Sequence, residues 1–198
     1  MTALAGAVAL VALAVTLGSL AWLHLEPTGL SPLRNAVSQY GITPFKTGYR
    51  VATIAFAVAG AALALGLHHA FGGNGQMVPV LVALIVFTLA RAAISWFPMD
   101  APGAPRSSTG QTHGLLAIAA FGGATYAAFR LGNVLSSGAR WHDLAGVSTA
   151  FAVAMLVCLL AMGLARHAPA VRAHFGAVER CFYLLAIAWF AVFASASL

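Results

Sequence analysis

Long apolar runs and short polar breaks alternate along the whole chain. Six of the runs, Thr2–Leu23, Gly48–Ala70, Met77–Phe97, His113–Leu131, Leu144–Ala165 and Val178–Ser197, carry almost no charge. A bilayer core of about 30 Å takes roughly 20 apolar residues of helix, and a helix suits it because every backbone polar group is satisfied within the segment. The pattern therefore predicts an all-α integral membrane bundle of six transmembrane helices, organised as a single domain over residues 1–198. Met1–Leu23 lacks the basic start of a secretory signal and is longer than its usual apolar stretch, so it reads as a retained first span. Alanine and glycine fill every span, as with Ala57, Gly60, Ala61 and Ala64 in the second, which lets helix backbones approach closely. In so alanine-rich a chain, pairs such as Gly110 and Gly114 arise by chance and predict no dimer.

The two longest breaks, His24–Thr47 and Pro98–Thr112, fall on one face of such a bundle. Within the first, Ser31 to Gly41 has the marks of a short interfacial helix. Ser31 is a good N-cap, Pro32 suits the first helical position and Gly41 is a stop. Leu33, Val37 and Tyr40 would then form an apolar stripe, with Arg34 and Ser38 one turn apart on a second face and Asn35 beside them.

Composition agrees with the membrane reading. The chain is 61% hydrophobic and 7% charged, against about a quarter charged in soluble domains, and its mean hydropathy is +0.91. A net charge of +6 does not point to nucleic acid here, because the basic residues are dispersed singly among loops, where anionic lipid headgroups are the natural partner. Six spans put both termini on one face. The loops of that face hold Arg130 and Arg140, whereas those of the opposite face hold Arg34, Lys46, Arg50, Arg106, Arg166, Arg172 and Arg180. The positive-inside rule makes this second face cytoplasmic, with loops 24–47, 98–112 and 166–177 inside a plasma (inner) membrane. Cys158 and Cys181 lack metal-ligand spacing and are expected to be packed, unpaired thiols.

One residue breaks the apolar pattern. Arg91 lies about 9 Å inside the third span, where a guanidinium cannot be deprotonated and needs a partner. Glu179, at the start of the sixth span on the same face, is the expected partner, with Asp100 second. Asp100 and His113 bracket the second long break and could pair as carboxylate and imidazole; alternatively Asp100 marks a turn and His113, with Thr112, caps the fourth helix.

Ser31-Pro32-Leu33-Arg34-Asn35 with Ser38-Gln39-Tyr40-Gly41, Arg91 with Phe97-Pro98-Met99-Asp100, Thr109-Gly110 with His113, and Glu179-Arg180 with Tyr183 together resemble, in order and spacing, a bacterial and archaeal membrane family catalogued as domain of unknown function 998. The resemblance implies a compact multi-span helical domain and carries no established activity.

Ser31, Arg34, Asn35, Ser38, Arg91, Asp100, His113, Glu179 and Arg180 are thus expected to form one polar pocket on the cytoplasmic face. Its leading function is to bind or transport an anionic amphiphile such as a lipid headgroup, with Arg34 and Arg180 reading phosphate. A lipid-modifying enzyme using Asp100 and His113, with Ser38 or a metal as the reactive element, is the second reading, and a structural subunit beside other membrane proteins the third. No nucleophile elbow, zinc-protease motif, phosphate loop or intramembrane lysine is present. No metal and no cofactor is expected. The histidines stand at span ends, which argues against haem, and Trp22, Trp96, Trp141 and Tyr183 read as an interfacial belt.

Overall fold

The computed structural model describes residues 2–137, 141–165 and 167–196. Arg140, Arg166 and Ser197, which figure in the charge count or the span limits above, lie outside the described residues. Seven helices follow one another among the residues described: α1 (Thr2–Leu25), α2 (Lys46–Ala70), α3 (Val78–Ala93), α4 (Ser108–Ser136), α5 (His142–Leu164), the short α6 (Pro169–Arg172) and α7 (Phe175–Ser195). Six of them, α3 with its flanking turns, are long and apolar enough to cross a membrane.

Two helices extend beyond their apolar runs. The predicted fourth span starts at His113, but α4 begins at Ser108, because Ser107 takes the N-cap position and its hydroxyl accepts the N–H of Gly110 at 3.0 Å. Likewise α7 begins at Phe175, ahead of Val178. The short helix expected over 31–41 is divided in two. A turn closes at Ser31–Asn35, Ala36 is extended (φ −60°, ψ 148°), and a 3-10 helix runs Val37–Ile42. The break has a local cause: the Asn35 side chain turns back, its Oδ1 accepting the Ser31 N–H at 2.8 Å and its Nδ2 donating to Gln39 Oε1 at 2.6 Å.

α1 lies along α2, α4 along both α3 and α5, and α7 closes the bundle against α1 and α5. Small residues make these seams. Ala52, Ala59, Ala120, Ala124, Ala127, Ala128, Ala186 and Ala194 are fully buried, and a Cβ on Gly60 would run into Phe87 and Thr88. Larger side chains fill the centre: Phe56, Phe87 and Phe190 meet with ring centroids 4.9–5.3 Å apart. Trp189 Nε1 donates to Ser148 Oγ, which donates to the Ala128 carbonyl, and so joins α7, α5 and α4. Leu4, Val11, Leu65, Leu89, Leu115, Ile118, Leu160 and Leu184 point outward from the spanning helices, an apolar girdle suited to lipid and not to water.

Candidate functional site

The polar residues gather at one end of the bundle, where α1, α3 and α5 end and α2, α4 and α7 begin. Arg91, 1% exposed, is among the largest fully buried side chains. Its Nη1 donates to Tyr183 Oη at 2.7 Å, and its guanidinium carbon stands 5.1 Å from the Tyr183 ring centroid and 5.6 Å from that of Phe56. Among the described residues its Nε has no hydrogen-bond partner, and neither has the buried hydroxyl of Tyr49. Tyr49, Arg91, Glu179 and Tyr183 all lie within electrostatic reach of one another.

The expected ion pair between Arg91 and Glu179 is not formed among the described residues. Glu179 is buried, but its Oε2 accepts the backbone N–H of Val37 at 2.6 Å and thereby supplies the first turn of the 3-10 helix with its missing acceptor. Helix direction explains the divergence. Side chains tilt toward the N-terminus of their own helix. On α3 that tilt carries Arg91 deeper into the bundle; on the oppositely running α7 it carries Glu179 outward to the loop and brings the deeper Tyr183 up to the guanidinium. Tyr183, expected in the interfacial belt, is accordingly buried at 3% exposure. Trp22 and Trp96 are exposed near span ends.

Arg180 is committed to the first loop. Its Nη1 donates to the carbonyls of Pro32 (2.8 Å), Asn35 (2.8 Å) and Gly176 (3.0 Å), and its Nη2 reaches Tyr40 Oη at 3.4 Å. Its Nε donates to His24 Nε2 at 2.7 Å. Because a guanidinium only donates, this bond fixes the His24 proton on Nδ1, which donates to the Leu20 carbonyl at 2.6 Å. The Ala177 N–H donates to the Leu33 carbonyl at 3.0 Å, and the loop backbone lies so close to Gly176 that a Cβ there would stand 2.5 Å from the Asn35 oxygen. The start of α7, with its free N–H groups, is thus docked onto loop carbonyls.

The second break is held separately. Asp100 lies against Gly110, where a Cβ would overlap its carboxylate. Its Oδ1 accepts from Ser107 Oγ at 2.6 Å and its Oδ2 from the Ser107 N–H at 3.1 Å. These two donors hold the Asp100 carboxyl below its ordinary pKa, and the charge sits favourably at the N-terminus of α4. Asp100 therefore braces the cap of α4, whereas His113, buried one turn further in, leaves the capping to Ser107 and donates from Nδ1 to the Phe97 carbonyl at 2.7 Å. Asp100 and His113 feel each other's charge without a hydrogen bond between them.

Of the nine predicted pocket residues, Ser31, Asn35, Glu179 and Arg180 meet in the docked loop, and Ser38 Oγ bonds Met99 Sδ at 3.1 Å. Arg91 lies deeper, Asp100 and His113 belong to the α4 entrance, and Arg34 is exposed on the loop turn with a side chain that meets no partner among the described residues. Sequence reasoning missed Tyr49 and the glycine at 176, and took Tyr183 for a belt residue. Tyr183 had a readable signal, since it lies one helical turn from Glu179 and so shares its face. Among the described residues no three His, Cys, Asp or Glu side chains group to hold a metal ion.

Helices, outward apolar surface and a buried guanidinium at one face define a six-span helical membrane protein. The chain belongs to the family described as Protein of unknown function (DUF998), whose model matches residues 5–196. No curated protein and no solved structure matches it.

Proposed function

We propose that the protein binds the anionic group of a membrane amphiphile at Arg91. The observation that carries this reading is a guanidinium buried in a spanning helix whose Nε is unpartnered and whose one hydrogen-bond partner is a tyrosine hydroxyl, among the described residues. A cation at that depth is costly without a counter-charge, and the carboxylate within its electrostatic reach, on Glu179, accepts the Val37 N–H. Arg91 Nε–H and Tyr49 O–H, whose residues lie within electrostatic reach of each other, are donors without a partner among the described residues, the kind of donor that a carboxylate or phosphate oxygen takes. Arg34, exposed at the loop turn, supports approach of an acidic headgroup, whereas Arg180 serves by fixing the loop. In this reading the site face is cytoplasmic in a plasma membrane, in keeping with its basic loops. Cysteines introduced at Ser107 and Ser137 test the orientation in intact cells: the first should be protected from an impermeant reagent and the second labelled, and the reverse would invert the assignment.

Native mass spectrometry of the protein released from lipid nanodiscs tests the binding itself. Wild type should retain an anionic amphiphile that Arg91→Gln loses and Arg34→Gln keeps in part; equal retention by the Arg91 variant would end the proposal. A second reading, a lipid-modifying enzyme, draws on His113, whose Nδ1 proton is committed to the Phe97 carbonyl so that Nε2 is the base, near Arg91. Lipid turnover abolished by His113→Gln would favour it.

A further inference from the structure

Cys158 and Cys181 are twenty-three residues apart in sequence but share one depth in the bundle. Cys158 stands six residues before the end of α5 at Leu164, and Cys181 six residues after the start of α7 at Phe175. At 1.5 Å per residue both lie about 9 Å below the site face. The two helices pack against each other, and each thiol lies within electrostatic reach of the other. Both are free, Cys158 buried in the seam and Cys181 exposed on the outside of the bundle.

We propose that this pair is a reversible oxidation site, closed to an α5–α7 disulfide by a hydroperoxide such as hydrogen peroxide. Cys181, the accessible sulfur, attacks one peroxide oxygen; the O–O bond breaks, water leaves and a sulfenic acid remains on Cys181. The Cys158 sulfur then attacks the Cys181 sulfur, the S–O bond breaks and a second water departs. Two thiols have lost two hydrogens and two electrons, and one peroxide has become two waters. Cys158 acts as the resolving thiol because it stands at the same depth on the helix packed against that of Cys181. The bond would tie α5 to the stretch of α7 that carries Glu179, Arg180 and Tyr183, and so would clamp the residues that hold the first loop and Arg91. A thiol reductant reopens it.

The test uses the purified full-length protein and hydrogen peroxide. Wild type should lose two hydrogens in intact mass and lose both alkylatable thiols together, with a peptide joining the α5 and α7 segments recovered after digestion, and dithiothreitol should restore both thiols. The Cys158→Ser variant, lacking the resolving thiol, should instead show a Cys181 sulfenic acid that dimedone captures. Oxygen added to Cys181 in wild type with Cys158 still alkylatable, linkage between two chains only, or no reaction under conditions that oxidise a free-thiol control would each overturn the assignment.

Discussion

Glu179 Oε2 and the backbone N–H of Val37, 142 positions apart in sequence, meet at 2.6 Å inside the protein. Arg180, the next residue, does the opposite service and donates to the carbonyls of Pro32 and Asn35. One adjacent acid and base on α7 therefore satisfy both kinds of backbone group in the same loop, and this identifies the pair as the fastening of the loop to the bundle.

If so, Glu179→Ala should leave the Val37 N–H buried without an acceptor and cost about 1–3 kcal/mol, while Glu179→Gln, which keeps an acceptor, should cost less. Thermal unfolding in detergent reads the difference. Equal loss in both variants would mean that the charge of Glu179, and not its acceptor oxygen, is what matters.

Gly176→Ala probes the same dock from the other side. A methyl group there meets the Asn35 and Pro32 carbonyl oxygens at 2.5–2.6 Å, and backbone cannot give way as a flexible side chain would. The loop should lift, so that a cysteine at Leu33 or Val37 reacts faster with maleimide in the variant than in the parent. Unchanged labelling would show that the loop does not rest on this glycine.

The partner of Arg91 can be weighed directly. A double-mutant cycle of Arg91→Gln with Tyr183→Phe should give a coupling of about 1–3 kcal/mol, and the cycle with Glu179→Gln a smaller one, because only Tyr183 shares a hydrogen bond with the guanidinium. Dominant coupling to Glu179 would restore the ion pair expected from the sequence.

Much of the architecture could be read in advance, since six apolar runs of bilayer length leave a chain few other folds. Arg91 was equally plain as a charge without company. Its partner was not. Spacing put Glu179 and Tyr183 on one face of α7, but choosing between them needs the directions of α3 and α7 together, and no single run contains that. The loop failed differently: Ser31 to Gly41 has sound helix signals locally, yet Glu179 and Arg180 offer its backbone better partners from far along the chain, and the Asn35 side chain divides it. Tyr49 carries no local mark, because its burial within electrostatic reach of Arg91 arises only when the helices pack.

Asp100 gives the entrance of α4 a dependence on acid. Its carboxyl is more acidic folded than unfolded, so the stabilisation is complete above the unfolded pKa and is lost as pH falls through the lower, folded one. Hydrogen exchange at Thr109–Gln111 should accelerate as pH drops through the carboxylate range once the intrinsic rate is divided out, and Asp100→Asn should flatten that profile. A wild-type profile already flat would mean that Ser107 caps the helix without help from the carboxylate.

The central claim, that Arg91 holds an anionic group, is tested most directly by following the arginine Nε–H resonances of the 15N-labelled protein while an alkyl phosphate or a fatty acid is added. The Arg91 Nε–H should shift and become protected from exchange as it gains an acceptor, whereas Arg180, whose Nε–H already bonds His24, should stay in place. Movement confined to exposed arginines such as Arg34 and Arg106, with Arg91 unmoved, would contradict the claim and leave the amphiphile on the surface alone.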